Sequence, residues 1–331
     1  MHIAIVGAGL AGLCCAKGLQ EQGYCVTLYE KSRGTGGRMA TRRTELGGFD
    51  HGAQYFTATS ERFKKQVTAW RKAGWVAPWD AKIVTLDHGI TRPAGRSQQR
   101  LVGVPGMRSL SEQLAIGLDI RYEQQVLDIE AYGKQWVLSV KSDTVAIPAT
   151  AGPFDAVLIA VPADQAQGLL TVAPKFAQQA KAASMAPCWT LMMAFQEPLE
   201  LGYDAAWVQN ARLGWISRDS SKPGRRAGDH WVAHATVDWS IEHLEDEPER
   251  AKEKLLKSFH ESTGSAVQPI YATVHRWRYA QALKPLALDC LWDAGQRIGV
   301  CGDWFAAGLD GAGRIENAYL SAQALVKKIT P

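Results

Sequence analysis

Apolar and polar positions along the chain fall into two alternating patterns, and the clearest instance lies at its start. Ile3, Ile5 and Val6 predict a strand running into Gly7-Ala8-Gly9-Leu10-Ala11-Gly12, after which Leu13, Ala16 and Leu19 recur at helical spacing. A second strand is predicted over residues 24–29, ending in Glu30. Helical periodicity predicts a helix over 61–74, alternation predicts a hairpin-like excursion over 82–93, and Pro105-Gly106-Met107 opens a further helix through 118. Residues 120–147 read as a small meander with turns at Tyr132-Gly133 and Ser142-Asp143, followed by a strand over 154–162. Further strands are expected around 189–195, 207–216, 230–238 and 270–279, with a charged helix over 245–262 that reads as a solvated cover. Residues 217–228, rich in Ser, Pro, Gly and Arg, are predicted as a mobile surface loop. A short apolar strand within 298–303, ending in Gly-Asp, and a helix running to Ile329 close the chain. No internal repeat or low-complexity segment interrupts this order.

The opening strand, glycine turn and helix have the spacing of a dinucleotide site. Gly7 permits the tight turn, Gly9 lets backbone amides approach a pyrophosphate on the helix N-terminus, and Gly12 lets helix and strand pack closely. Glu30 falls about twenty residues on, where its carboxylate can accept from a ribose 2′-OH and would repel a 2′-phosphate. The ribose therefore belongs to FAD or NAD rather than NADP, and the motif alone fits both.

Length and composition narrow the class. At 331 residues the chain predicts a nucleotide domain plus a second domain. Hydrophobic residues at 46% and charged residues at 21% are ordinary for a soluble globular enzyme. No run approaches the ~18–20 apolar residues of a membrane span, and the apolar start reads as a cofactor strand rather than a signal peptide, so a cytoplasmic protein is expected. Cys14, Cys15, Cys25, Cys188, Cys290 and Cys301 lack metal-type spacing and read as reduced, mostly buried thiols. A formal charge of +4 is too mild and dispersed to argue for nucleic acid, and is compatible with an anionic small substrate.

More glycine-rich chemistry follows. In residues 31–39, KSRGTGGRM, the glycines including Gly37 can wrap a phosphate or ribityl chain, and Arg38 can fork onto a pyrophosphate. The segment FDHGAQYF occupies 49–56 and contains Gln54 and Tyr55. At the far end, IGVCGD at 298–303 can place Asp303 on ribityl hydroxyls, with the glycine-rich stretch 308–315 leading into the last helix.

Together GAGLAG, Glu30, GTGGRM, DHGAQYF and CGDWF resemble the flavin-dependent amine oxidase and phytoene desaturase superfamily, over nearly the whole chain. Within it, HATVDWS at 234–240 and HRWRYA at 275–280 are similar to the renalase family, particularly its bacterial members. The resemblance implies an α/β protein: a Rossmann-like FAD-binding domain of the p-hydroxybenzoate hydroxylase-like type, with an interleaved mixed-sheet α+β substrate domain. The FAD part would comprise 1–58, 99–168 and 286–331, and the substrate part 59–98 and 169–285. It puts the FAD diphosphate at Gly7, Gly9, Gly12 and Arg38, Gly37 among the cofactor-binding residues, the adenosine ribose at Glu30 and the adenine against the Val126 backbone. Asp303 would take the diphosphate or ribityl end, Ile315 and Glu316 would lie near the isoalloxazine, and Gln54 and Tyr55 would also contact the cofactor. Asn317 and Ala322 stand where many relatives have glycines, and no cysteine in the last stretch offers a covalent link, so non-covalent FAD is expected.

Strand alternation predicts the substrate face. His234 and Thr236 share one side of their strand, while Thr273, His275, Trp277 and Tyr279 share a side of theirs, with Arg276 and Arg278 opposite. Trp277 and Tyr279 would shape a slot for a flat ring, His234 and Thr236 would bind its carboxamide, and Arg225 and Arg226 read as solvated charges or as attractors of a substrate pyrophosphate. The resemblance implies oxidation of the 2-dihydro and 6-dihydro isomers of NAD(P)H by hydride transfer to FAD N5, with O2 reduced to H2O2. An FAD-dependent amine oxidase and a non-catalytic FAD-binding redox sensor are the other readings. The partners expected are a dinucleotide substrate and O2, with no nucleic acid or membrane, and oligomeric state is left open.

Overall fold

Ile3, Ala4 and Ile5 are all fully buried, because the strand that carries them has both faces covered, as parallel central strands do. The computed structural model describes residues 1–95, 98–142, 145–306 and 315–330. The expected turn at Ser142-Asp143 lies partly, and residues 308–314 wholly, outside the described residues. The chain forms two compact units that interleave in sequence: Met1–Arg38, Ser111–Met185 and Gln281–Pro331 in one, Met39–Leu110 and Ala186–Ala280 in the other. Residues 39–58 and 99–110, assigned from sequence to the nucleotide part, thus group with the second unit, and residues 169–185 and 281–285, assigned to the substrate part, group with the first.

The first unit is built on a six-stranded sheet in the order Leu291–Asp293, Ile298–Val300, Ala156–Ile159, His2–Val6, Cys25–Tyr29, Asp119–Arg121. All neighbours are parallel except the outermost pair, Leu291–Asp293 with Ile298–Val300. On one face an antiparallel meander of Gln124–Tyr132, Gln135–Ser142 and Val145–Phe154 packs Val126, Ile129 and Leu138 into the core of Val157, Ile159 and Val300. Helices Leu10–Glu21 and Ile315–Ile329 meet closely, since a Cβ on Gly18 would lie 3.1 Å from Val326. Cys14, Cys15, Cys290 and Cys301 are buried free thiols, whereas Cys25 is exposed.

In the second unit a mixed seven-stranded sheet runs Tyr271–Lys284, Ser184–Phe195, Asp229–Ala235, Leu213–Arg218, Ala205–Gln209, Ile83–Asp87, Ile90–Pro93. Helix Pro248–Thr263 lays Ala251, Leu255 and Phe259 on a core with Trp189, Leu213 and Trp231, leaving its charges outward. Helix Glu61–Lys72 is capped by the Ser60 hydroxyl, which accepts from the Phe63 amide at 3.3 Å, and buries Phe63, Val67 and Trp70 at helical spacing.

Three expectations fail here. Residues 207–216 are two antiparallel strands rather than one, turning at Asn210, which adopts a φ of 54° without glycine. The strand expected over 230–238 stops at Ala235, because the Thr236 hydroxyl accepts from the Trp239 amide and starts helix Val237–Glu242. Residues 217–228 are anchored by buried ion pairs rather than forming a solvated loop.

Candidate functional site: a nucleotide cradle and a histidine–tryptophan cluster

In the first unit the glycine turn is fixed by packing at two positions and open at the third. A Cβ on Gly7, where φ is +102°, would meet the Ala160 carbonyl at 2.8 Å, and one on Gly12 would lie 2.0 Å from the Gly7 carbonyl oxygen. A Cβ on Gly9 would meet nothing within 4 Å. Gly9 N-caps helix Leu10–Glu21 without a side-chain hydrogen bond, and no acid sits in the first turn. The helix thus begins uncapped beside an open Gly9 position, a combination compatible with a pyrophosphate on its first-turn amides. Gly36 donates to the Ala8 carbonyl at 3.0 Å, laying the KSRGTGGRM loop against this turn, and Gly37 follows with a φ of +52°.

Glu30 is buried at the end of its strand, with Oε2 accepting from the Ala8 amide at 2.9 Å and Oε1 from the Ser32 amide at 2.8 Å. A carboxylate offers about four lone-pair sites, so both oxygens retain acceptor capacity for a ribose hydroxyl. Arg38, expected on the diphosphate, and Asp303, expected on the diphosphate or ribityl end, form a bidentate pair with bonds of 2.7 and 2.6 Å. Val126 sits at a strand irregularity between Val126 and Asp128, where the ladder is locally interrupted. Ile315 and Glu316 open the last helix, with Glu316 fully buried. The open Gly9 position, the uncapped helix and the buried acid fit the ADP half of FAD.

In the second unit, residues of distant strands assemble an aromatic set. Trp277 donates from its indole nitrogen to the His51 carbonyl at 2.9 Å and stacks on the His51 ring at 5.0 Å. His275 stands edge-on to both, 4.8 Å from His51 and 4.3 Å from Trp277. His234 Nε2 lies 3.4 Å from Gln54 Nε2, and burial pushes the His234 pKa down to about 4. Burial also brings His51 and His275 to about 4, with the neighbouring His275 ring adding to the effect on His51. All three rings are thus uncharged at neutral pH. Two sequence assignments part from this set: Thr236 is spent as a helix cap, and among the described residues Tyr279 makes no ring contact with it.

Beside it lies a buried ion network that sequence reasoning missed. Lys222 contacts Asp219 at 2.5 Å and Asp50 at 3.5 Å, Arg225 pairs with Asp50, and both lysine and acids are essentially without solvent exposure. Burial raises the Asp50 carboxyl, but Lys222, Arg225, the Thr41 hydroxyl and the Met107 amide outweigh it and leave the pKa low. For Asp219 burial wins, reinforced by the Asp50 charge, and its pKa is raised despite Lys222. Gln54 belongs to this network, accepting at Oε1 from Ser217 at 2.8 Å and Lys222 at 3.2 Å. Tyr55 packs between Trp79 and Trp215 with the Arg100 guanidinium over its ring. Arg225 is therefore a structural counter-ion rather than a solvated charge, while Arg226 donates to the Glu45 carbonyl at the surface.

Comparison with known proteins places this geometry in a family. Residues 5–73 match the NAD(P)-binding Rossmann-like domain and residues 84–329 match the family described as flavin containing amine oxidoreductase. The chain belongs to the flavin containing amine oxidoreductase family. Local relatives include an L-amino-acid oxidase of Siganus canaliculatus, 42% identical over 28% of this chain, and a 4,4'-diapophytoene desaturase of Staphylococcus aureus, 42% identical over 16%. Those matches span only 12% and 10% of the relatives' own lengths. Among solved structures, a protein of Exiguobacterium sp. 255-15 described as a candidate protoporphyrinogen oxidase superposes with a TM-score of 0.75 at 16% identity, covering 99% of this chain and 98% of that one. Putrescine oxidase bound to putrescine superposes with a TM-score of 0.72 at 13% identity, covering 99% of each chain. At such identities the amine oxidoreductase fold is shared and nothing finer. Among the described residues, no helix is long and apolar enough to cross a membrane and no His, Cys, Asp or Glu group could hold a metal ion.

Proposed function

We propose that this member of the family is a renalase-type oxidase that binds FAD without a covalent link and converts the 2-dihydro and 6-dihydro isomers of NAD(P)H to NAD(P)+. The observation that carries the reading is the packing of Trp277 on the His51 ring with His275 edge-on to both, in surroundings where burial pushes the pKa of His51, His234 and His275 down. A dihydronicotinamide is a neutral, flat ring with a carboxamide, and neutral imidazoles beside an indole match its stacking and hydrogen-bonding needs without an ionic partner. Loss of hydride makes that ring an aromatic cation directly, so no side chain has to remove a proton first. When bound, FAD supplies the hydride acceptor at N5 and passes the electron pair on to O2, releasing H2O2. In this reading Gly7, Gly9, Gly12, Glu30 and Gly37 seat the dinucleotide, Trp277 and His51 hold the substrate ring flat, and His234 binds its carboxamide.

The family match favours a second reading, oxidation of a neutral amine on the same scaffold. A peroxide assay with borohydride-reduced NAD against a panel of amines separates them. Turnover is expected with the reduced dinucleotide; turnover with amines alone overturns the proposal, and bound flavin without turnover of either points to a redox sensor. His234→Ala is expected to retain flavin and slow its reduction.

A further inference from the structure

Gln54 sits between two unlike surroundings. Its Oε1 faces donors, the Ser217 hydroxyl at 2.8 Å and the Lys222 ammonium at 3.2 Å, while its Nε2 faces the carbonyls of Asp50 and of Gly52, the latter at 3.2 Å. An ammonium has no acceptor to offer, so the reversed amide would set N–H against N–H on one side and oxygen against oxygen on the other. The orientation of this amide is therefore settled chemically. The same Nε2 lies 3.4 Å from His234 Nε2; an amide nitrogen accepts no hydrogen bond, so that ring nitrogen is matched there only as an acceptor, sharing a Gln54 N–H with the Gly52 carbonyl. Burial holds the His234 imidazole in its neutral form, and a neutral imidazole has one N–H, so with Nε2 accepting that N–H sits on Nδ1.

We infer that Lys222, Ser217 and Gln54 are positioning residues that lock His234 as the Nδ1–H tautomer, presenting the Nε2 lone pair as an acceptor. Lys222 is itself held by Asp219 at 2.5 Å and by Asp50 at 3.5 Å, so the chain of orientation starts at the buried ions and ends at the imidazole. A ligand N–H that arrives at His234 Nε2 leaves the displaced Gln54 N–H with the Gly52 carbonyl as its alternative. The consequence for substrate choice rests on the proposed function: an acceptor at Nε2 selects a carboxamide N–H and disfavours a carboxylate in its place.

The test uses the full chain as purified, labelled with 15N-histidine, and a long-range 1H–15N spectrum at neutral pH with His234 assigned from its loss in His234→Gln. A pyridine-type Nε2 and a pyrrole-type Nδ1 are expected; the reverse pattern, or an averaged mixture, overturns the inference without any variant. Gln54→Glu replaces the donor by a second acceptor, so His234 is expected to switch to Nε2–H and titrate at higher pH, and an unchanged tautomer contradicts the lock. The catalytic half is read from dihydronicotinamide against dihydronicotinate dinucleotides, with at least about a tenfold kcat/KM preference for the amide expected, about 1.4 kcal/mol; equal values remove it. The spectrum needs no turnover, so the expected tautomer in a protein that oxidises no dihydro isomer would condemn the proposed function and leave the lock standing.

Discussion

The glycine cradle and the buried network around Gln54 are built on opposite principles. In the cradle, the shape is set by side chains that are missing: Gly7 and Gly12 have no room for a Cβ, Gly9 has room, and the helix begins without a side-chain cap. In the network, specificity lies in charges withdrawn from water, with Asp50, Asp219, Lys222 and Arg225 balancing one another across separations such as the 172 residues between Lys222 and Asp50. The first arrangement is local in sequence and tolerates no added atom. The second is global, tolerates change in shape, and fails when one charge is removed without its partner.

The largest effect expected from this contrast is Gly12→Ala. A Cβ placed 2.0 Å from a carbonyl oxygen forces strand and helix apart, and a loss above about 4 kcal/mol follows. Thermal melting by circular dichroism checks it, and a variant that melts with the wild type would show that the turn relaxes freely. Next comes Lys222→Met, which strands buried acids and is expected to cost about 3–5 kcal/mol in urea unfolding. Adding Asp219→Asn should recover part of that loss; no recovery would mean the two do not share a charge balance.

Acidification comes third. His234 has a folded pKa of about 4 against the ordinary 6.5, so between these values the unfolded chain takes up a proton that the folded chain refuses. Stability is therefore whole above pH 6.5 and falls as pH drops toward 4, by at most about 3 kcal/mol for this group. His234→Gln should lessen the pH dependence of the unfolding midpoint without abolishing it, because His51 and His275 are lowered to about 4 as well, and an unaltered slope would place the titration elsewhere. The smallest effect on stability belongs to Gly9→Ala, below about 1 kcal/mol. Its flavin-to-protein absorbance ratio should nevertheless fall steeply, and full flavin retention would remove Gly9 from the phosphate seat.

The same contrast explains what was legible. The strand, glycine turn and helix follow from apolar spacing and three glycines, and Glu30 from its distance to them, because all of that geometry is local. Phe63, Val67 and Trp70 likewise announce their helix face. Thr236 misled because its position continues strand alternation while its hydroxyl caps the next helix. Asn210 turned the chain where no Gly or Pro marked a break. The pairing of Arg38 with Asp303 spans 265 residues, and the burial of Lys222 and Arg225 depends on acids that only folding brings near. Charged residues among Ser, Pro and Gly read as surface from sequence, since nothing local records their partners.

The proposed function is the oxidation of dihydronicotinamide isomers by a bound flavin. It is tested most directly by anaerobic titration of the purified protein with mixed dihydro isomers of NAD(P)H while flavin absorbance is followed. Stoichiometric bleaching by the isomers, with none by amines, is the expected result. A colourless protein that cannot be reconstituted with FAD, or a flavin that bleaches with amines and ignores the isomers, would contradict the account.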